Sequence, residues 1–236
     1  NVQLEVILDK LRDNYSVNTE VVEYKIPYRE TIKGKSDVQG KHKKQSGGAG
    51  QYGDVFIRFE STDEEFLFDE EVFGGAVPKN YFPAVEKGLE ESLLEGPLGG
   101  FKVTGIHATL YDGSYHPVDS NEQAFKTAAR IAFKKGIEEA DPILLEPVMK
   151  LEIKVPEENM GDVMGDMNKR RGRILGINPQ EDGSQIILAE APLSEVLSYA
   201  IDLRSQTSAR GSFSMEFERY EEVPKEIAQK VIEDRS

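Results

Sequence analysis

The clearest alternation of apolar and polar side chains lies in the last third of the chain. Residues 148–155 (VMKLEIKV) place an apolar side chain at every second position, which predicts a strand with one buried face. Residues 157–171 instead repeat apolar positions at helical spacing, with Gly172 as the stop. The same two periods then predict strands 173–177 and 184–191, a helix from Pro192 to about Ser205, strand 212–220 and a last helix 224–234. The first six elements follow the order βαββαβ, which is the split arrangement of a ferredoxin-like domain.

A different pattern in the middle of the chain predicts a separate unit of strands and helices. Residues 54–60 and 101–113 predict strands, and residues 80–95 predict a helix between them. Asp119 followed by Glu122 has the spacing of a capping box, so we expect a long helix to begin there. That helix should run to about Ala140. Its inward-facing side chains should be those of Ala124, Phe125, Ala128, Ile131, Ala132 and Ile137.

The first residues predict a pair of elements that cannot close a core alone. Residues 2–15 predict a helix with one apolar face, and residues 19–32 predict an extended segment interrupted by Pro27. Because the sequence opens at Asn1 without an initiator methionine, we expect this pair to be the end of a domain that is mostly missing. We place the boundary between the other two units near Glu146–Pro147. The predicted fold class is therefore α+β, with two domains.

Composition and charge exclude several classes of protein. The 236 residues include 29 Lys and Arg and 43 Asp and Glu, a formal net charge of −14, so a uniformly basic coat for nucleic acid is excluded. An acidic chain can still bind RNA through a local basic patch. The absence of cysteine excludes disulfides and thiolate metal sites. No apolar run approaches the roughly 18–20 residues that span a bilayer, so no membrane partner is expected.

A locally basic segment surrounds a glycine-rich loop. Basic residues outnumber acidic ones between residues 33 and 58, and the stretch QSGGAGQYG (45–53) lies among them. Residues 59–71 carry acidic side chains and no basic one, which indicates a basic and an acidic part of one domain. The loop is either a flexible hairpin tip or a tip at which the glycines let RNA approach the backbone. In the second interpretation Tyr52 stacks on a base, and the phosphates meet Lys41, Lys43 and Lys44.

The glycine-rich loop also matches G-x-G-x-x-G, but the surrounding pattern argues against a dinucleotide site. Such a site needs a strand before the loop and a helix after it, whereas here a strand follows. The P-loop pattern G-x-x-x-x-G-K-[ST] is absent from the chain. We therefore expect this chain neither to bind nor to hydrolyse GTP.

The three histidines share no ligand spacing, so a zinc site is not expected. Ser114, His116 and Asp119 could be read as a nucleophilic triad, but side chains so close in sequence more often make turn and cap bonds. We interpret His116, beside Tyr115, as an RNA contact with stacking and hydrogen-bonding capacity. The sequence shows no convergent set of titratable groups, and no catalytic residue is predicted.

A cluster of basic residues lies at the C-terminal end of the helix predicted at 157–171. These side chains could complement the helix dipole, or they could form a phosphate-binding edge. Both interpretations stay open for Lys169, Arg170, Arg171 and Arg173.

Long stretches of the chain resemble the C-terminal half of elongation factor G, the translocation GTPase of the ribosome. The resemblance covers essentially the whole chain in one order and is far more specific than one loop motif. It is carried by VQLEVILDKLRDNYSVNTEV (2–21), PYRETI (27–32), KQSGGAGQYGDV (44–55), GGAVPKNYFPAVEKGL (74–89), GPLGGFKV (96–103), GSYHPVDSNEQAFKTAARIAFKKG (113–136), residues 144–176 and residues 191–220. The stretches KHKKQSGG and GDVFIRFE are more similar to the divergent second-copy factors of this family.

The resemblance implies how the chain divides. Residues 1–26 resemble the end of the family's third domain. Residues 27–146 resemble the fourth domain, an elongated, ribosomal-protein-like α+β domain whose tip enters the decoding site of the small subunit. Residues 147–236 resemble the fifth domain, a ferredoxin-like domain that faces ribosomal RNA of the large subunit.

The resemblance also implies which residues contact the ribosome. At the tip of the fourth domain it indicates Lys43, Lys44, Gln45, Ser46, Gly47, Gly48, Ala49, Gly50, Gln51, Tyr52, Gly53, Ser114, Tyr115 and His116. The basic cluster at Lys169, Arg170, Arg171 and Arg173 becomes a candidate to face ribosomal RNA. Ala49 stands where the family usually has arginine, which removes one phosphate or base contact. We expect the loops 45–53 and 113–119 to lie side by side at one end of the domain.

The implied function is mechanical. The chain would promote translocation of transfer RNA and messenger RNA by occupying the A site of the small subunit, without making or breaking a bond. Its partners would be the ribosome and the transfer RNA–messenger RNA complex, and it would act as a cytoplasmic monomer. No cofactor is expected in this chain, and GTP and Mg²⁺ are expected only in the missing N-terminal domain. The alternatives are a recycling or ribosome-protection factor of the same family, or a stand-alone RNA-binding protein.

Overall fold

The computed structural model of the chain describes residues 2–15, 17, 24–45 and 50–235. Its strands form two sheets, with helices packed against them, and this confirms the predicted α+β class. In chain order the elements are α1 (Val2–Tyr15), β1 (Arg29–Ile32), β2 (Ser36–Lys44), β3 (Gln51–Ser61), β4 (Phe66–Glu70), α2 (Phe82–Ser92), β5 (Lys102–Val103), β6 (Ile106–Ser114), α3 (Glu122–Glu139), β7 (Pro142–Pro156), α4 (Met160–Lys169), β8 (Arg173–Pro179), β9 (Ser184–Pro192), α5 (Leu193–Val196), α6 (Tyr199–Gln206), β10 (Ser212–Glu222) and α7 (Lys225–Glu233).

The first sheet carries the strands that lead to the glycine-rich loop. Its order is β2-β3-β6-β4; β3 pairs antiparallel with β2 and β6, and β4 pairs parallel with β6. Helix α3 packs across β2 and β3. Gly40 of β2 allows this close approach, because a Cβ atom there would lie 2.1 Å from the carbonyl oxygen of Ala128 in α3. The absent side chain therefore sets the distance between helix and sheet.

The second sheet contains the predicted ferredoxin-like arrangement. Strand β7 pairs with β10 along one edge and with β9 along the other, and β8 pairs with β9. The alternation predicted for residues 148–155 is confirmed, because Leu151, Ile153 and Val155 are fully buried in one cluster with side chains of α4 and α6.

Strand β7 also joins the two halves of the chain. Its first residues pair with β1, from Arg29 opposite Leu145 to Ile32 opposite Pro142. Its later residues pair with β9, so the strand runs without interruption through the boundary predicted at Glu146–Pro147. The boundaries 1–26, 27–146 and 147–236 stay predictions.

Three strands of the first half differ from the sequence-based expectation. The single strand predicted at 101–113 is wrong, because two strands, β5 and β6, form there. Gly105 lies between them, and its φ of +73° turns the chain. Strands β2 and β4 were not predicted at all. Both are short of the alternating apolar residues that mark a strand, since β2 contains Gly40 and several lysines and β4 ends in acidic residues.

The start of α3 also differs. Asn121, and not Asp119, caps the helix: the Asn121 Oδ1 accepts the backbone N–H of Ala124 at 2.8 Å. The predicted capping box is therefore wrong. Ile131, which was expected to point inward, is 40% exposed, whereas the other apolar positions predicted for this face are buried.

Two helices of the second half differ from the predicted ones. Helix α4 ends at Lys169, and Arg171 adopts the left-handed conformation with a φ of +57°, so the stop precedes Gly172. The helix predicted from Pro192 to about Ser205 is divided into α5 and α6, which are interrupted near Leu197.

Candidate nucleic-acid interface at the tip

Two segments leave the first sheet at the same end, which we call the tip. They are the β2–β3 connection (residues 45–50) and the segment 115–121 that joins β6 to α3. The backbone N–H of Tyr52 donates to the Asp119 carbonyl at 2.9 Å, and a Cβ atom at Gly50 would lie 2.5 Å from Cγ of Asp119. For the described residues of the two loops, the predicted side-by-side placement is confirmed.

The β2–β3 connection is shorter than the loop predicted from sequence. Gln51, Tyr52 and Gly53 were expected in the loop but are the first residues of β3. Gln45, together with Lys43 and Lys44 at the end of β2, is exposed. The predicted contacts at Ser46, Gly47, Gly48 and Ala49 lie outside the described residues.

A buried carboxylate holds the base of the tip together. Asp54 of β3 is 4% exposed and accepts hydrogen bonds from Gln39 Nε2 at 2.7 Å and from Ser114 Oγ at 2.7 Å. Lys41 Nζ lies 3.5 Å from the same carboxylate. Because these partners belong to β2 and β6, one side chain on β3 ties the three tip strands to each other.

Tyr52 belongs to this bonded network. Its hydroxyl lies 2.7 Å from Ser114 Oγ. Since the Ser114 hydroxyl already donates its proton to Asp54, Tyr52 is the donor in this bond. The Tyr52 hydroxyl, and then the Asp54 carboxylate, raise the pKa of Lys41 above its ordinary value. Tyr52 was predicted to stack on a base, but its hydroxyl and backbone are both committed within the tip.

His116 is held in one tautomer by its own loop. Its Nδ1 accepts the backbone N–H groups of Asp119 at 3.1 Å and Val118 at 3.3 Å. An atom that accepts these bonds carries no proton, so the neutral ring has its N–H at Nε2. Nε2 makes no hydrogen bond within the described part of the chain, and half of the side chain is exposed. His116 therefore presents a free donor and an aromatic ring at the tip.

The alternative of a nucleophilic triad is not supported by these contacts. Ser114 Oγ donates to Asp54 and not to the imidazole of His116. His116 Nδ1 lies 3.4 Å from the Asp119 carboxylate, but no nucleophile among the described residues is paired with the ring. The part of the chain that the structure describes contains no cluster of three or more His, Asp or Glu side chains that could hold a metal ion.

The basic cluster after α4 is mostly committed to ion pairs. Arg170 bonds to Asp166 at 2.8 Å and to Asp202 at 2.7 Å. Arg173 pairs with Glu190 and Glu221. Lys169 is exposed and has no ion-pair partner among the residues that the structure describes. Their predicted contact with ribosomal RNA stays a prediction, and Lys169 is the member best placed for it.

Arg171 has a structural partner that was not predicted. Its guanidinium binds both carboxylate oxygens of Glu146, at 2.7 and 2.8 Å, and also reaches Glu195 at 2.9 Å. The hydrogen bonds to Glu146 raise the pKa of Arg171. Glu146 itself is 2% exposed and the Arg171 side chain is 25% exposed, so the guanidinium of Arg171 is largely committed to its carboxylate partners.

Sequence reasoning missed Asp54 and Gln39, which organise the tip. The signal was present for Asp54: a carboxylate stands directly before the apolar run VFI (55–57), and a buried charge needs bonded partners. Gln39 has no such signal, because its role depends on the pairing of β2 with β3. Across the part of the chain that the structure describes, no helix combines the length and apolar character needed to cross a membrane.

Two family models match most of the chain. The model described as elongation factor G, domain IV, matches residues 24–141, and the model described as elongation factor G C-terminus matches residues 143–231. The chain is similar to a protein from Thermus thermophilus whose crystal structure is known. The two sequences are 45% identical, and the two structures superpose with a TM-score of 0.88. The match covers 100% of this chain and 35% of that one, so this chain spans about a third of the length of its relative. The matches, together with the two-sheet fold, show that the chain belongs to the elongation factor G family and carries its domain IV and C-terminal region.

Proposed function

We propose that this chain is the ribosome-contacting part of a translation factor and that its tip enters the decoding site of the small subunit. The observation that carries the proposal is the tip itself, where His116 presents a free Nε2–H donor on a loop held by backbone bonds. In this role the domain occupies the space that the transfer RNA–messenger RNA complex has vacated and hinders its return, which promotes translocation.

A mechanical role of this kind requires a tip that keeps its shape under load. The bonds from Asp54 of β3 to side chains of β2 and β6 supply that rigidity, since they satisfy the buried carboxylate on both sides. The exposed Lys43 and Lys44 meet phosphates, and Lys41 has the Asp54 carboxylate as its partner. Two exposed lysines release few counterions, so the chain alone should bind RNA weakly and chiefly at low salt.

The proposed partners are the ribosomal RNA of both subunits and the transfer RNA–messenger RNA complex, with the chain acting as a cytoplasmic monomer. Recycling or protection of ribosomes remains the alternative within the same family. A stand-alone RNA-binding protein is the alternative outside it. Cosedimentation tests the alternative of a stand-alone RNA-binding protein, because such a protein would bind free RNA as tightly as it binds ribosomes.

Replacing His116 by alanine should weaken ribosome binding by an amount on the order of 1–3 kcal/mol, because the ring that can stack on a base is lost. His116→Asn should weaken it similarly, since asparagine supplies an acceptor for the loop amides but has no ring. Binding is measured by cosedimentation at low salt, with thermal unfolding measured in parallel.

The matched control for these variants is His107→Ala. His107 lies seven residues before Ser114 on β6, about 23 Å from the tip at strand spacing. This variant should bind ribosomes like the unaltered chain. Equal binding by the His116 variants and the unaltered chain would contradict the proposed role of the tip, and so would a loss explained by unfolding.

We also propose that the chain contributes no enzymatic step and holds no nucleotide by itself. Its sequence contains no P-loop, so GTP and Mg²⁺ would be bound only by another part of a longer protein. Isothermal calorimetry with GTP should give no saturable heat, and a saturable signal would contradict this expectation.

A further inference from the structure

The two most exposed large apolar side chains of the described residues lie at the tip. Phe73 is 93% exposed and Val118 is 83% exposed. Val118 belongs to the loop of His116, whereas Phe73 lies in the connection from β4 to α2, which has no part in the interface described above. Single exposed apolar side chains are common on proteins, so Phe73 is informative through its place in the fold.

Strand pairing places Phe73 at the same end as the other two loops. Strand β4 runs parallel to β6, with Glu70 opposite Leu110, and so points toward the tip. Phe73 follows Glu70 by three positions, as Gly113 follows Leu110, so the two segments extend toward the tip by similar distances. Gly113 lies against the end of the same connection, since a Cβ atom on it would be 2.5 Å from Cγ2 of Val77.

The connection is anchored on both sides of Phe73. Before it, the backbone N–H of Glu71 donates to the Leu110 carbonyl at 2.8 Å. After it, Tyr81 donates to the Ser120 carbonyl at 3.1 Å and stacks on Phe125 with 4.6 Å between ring centroids. The segment that carries Phe73 is therefore fixed to the loop of His116 and to α3.

Two glycines set the direction of the chain directly after Phe73. Gly74 and Gly75 have φ values of +65° and +74°, which side chains rarely allow. A Cβ atom would meet no other atom within 4 Å at either position, so the glycines are required by the backbone conformation and not by crowding. This turn presents the ring of Phe73 to solvent.

The charged side chains that flank Phe73 largely offset one another. Three acidic residues end β4 and follow it: Asp69 is hydrogen-bonded to His107 at 2.8 Å, and Glu71 forms an ion pair with Arg58. Glu70 and Lys79, one on each side of the turn, are both exposed and carry opposite charges. An uncharged aromatic ring at the end of the domain that is proposed to meet RNA can stack on an unpaired base.

We propose that Phe73 stacks on an unpaired base of the RNA that the tip contacts, and that residues 71–79 form a third RNA-binding loop. The inference rests on the proposed function, because it requires that the tip meet RNA. It adds a contact on a different connection, with a ring that is left almost wholly exposed by the described part of the chain.

The test compares Phe73→Ala, Phe73→Leu and Phe73→Trp in this chain. Stacking on a base predicts that alanine and leucine weaken ribosome binding about tenfold, whereas tryptophan binds at least as tightly as phenylalanine. Because the ring is 93% exposed, all three should unfold at the temperature of the unaltered chain. Leucine distinguishes stacking from general hydrophobic contact, since it retains apolar area and lacks the ring.

A second arm identifies the partner. Phe73→p-benzoylphenylalanine is irradiated with ribosomes that carry transfer RNA and messenger RNA, and the same substitution at Phe217, 55% exposed on β10, serves as the control. Crosslinks from position 73 to RNA support the proposal, and crosslinks only to ribosomal protein overturn it. If the unaltered chain binds ribosomes and the Phe73→Leu variant binds them equally well, only this inference fails. If the unaltered chain does not bind ribosomes, the proposed function fails and this inference with it.

Discussion

Replacing Arg171 by alanine is expected to lower the free energy of unfolding by about 3–5 kcal/mol, the largest effect of any single change in the basic cluster. The substitution leaves the Glu146 carboxylate, whose side chain is 3% exposed, without its bidentate partner. A buried charge that loses its partner keeps the full cost of leaving water. Urea unfolding followed by circular dichroism measures the change.

Lys169→Ala is the matched control, two residues earlier and exposed. It should change the free energy of unfolding by less than about 0.5 kcal/mol, as surface substitutions usually do. The double variant Glu146→Leu with Arg171→Met should be markedly more stable than Arg171→Ala alone, because it removes the buried charge together with its partner. If Arg171→Ala and Lys169→Ala are equally stable, Arg171 is free for another role and the ion pair is not structural.

Gly40→Ala is the second change expected to be severe, with a loss of about 3 kcal/mol or more, at the upper end of what overpacking costs. The new Cβ atom would lie 2.1 Å from the carbonyl oxygen of Ala128 and 2.6 Å from the backbone nitrogen of Ala132. Both contacts are backbone atoms of α3, so no side chain can rotate away. The helix would have to move off β2 and β3, which carry the tip.

The control for Gly40 is Gly165→Ala in α4, where a Cβ atom would meet nothing within 4 Å. This variant should be more stable than the unaltered chain by roughly 0.5–1 kcal/mol, because alanine loses less conformational entropy than glycine in a helix. Thermal unfolding of the two variants side by side tests the comparison. A Gly40→Ala chain as stable as the unaltered one would mean that α3 does not depend on this close approach.

The order of elements in the second half could be predicted because each has a local periodicity. Leu151, Ile153 and Val155 alternate with polar residues on a strand that is buried on one face, so the pattern and the burial coincide. The first half was less predictable. Strand β2 is held by pairing with β3 and by contact with α3 at Gly40, and neither interaction leaves an alternating pattern in its own residues.

The candidate site was likewise predictable in part. Family motifs indicated His116 and the glycine-rich loop, but not which atoms are free. Tyr52 was expected to face RNA, and the structure shows its hydroxyl bonded to Ser114. Asp119 was expected to cap α3, and Asn121 does so. Polar side chains in one short loop can exchange such bonds with little change in sequence pattern, so spacing alone does not decide between them.

The sequence by itself determined the α+β class, the βαββαβ order, the family and the absence of a P-loop, since these depend on local periodicity and on motifs read along the chain. Tertiary structure alone decided which charged side chains are available. Arg171 and Lys169 belong to one basic run, yet Arg171 meets Glu146, 25 residues away, and Lys169 stays exposed. It also decided that Phe73 lies at the tip, because the parallel pairing of β4 with β6 brings that connection beside the loop of His116. Ion pairs and exposure depend on which distant segments the fold brings together, and a pattern of neighbouring residues carries no such information.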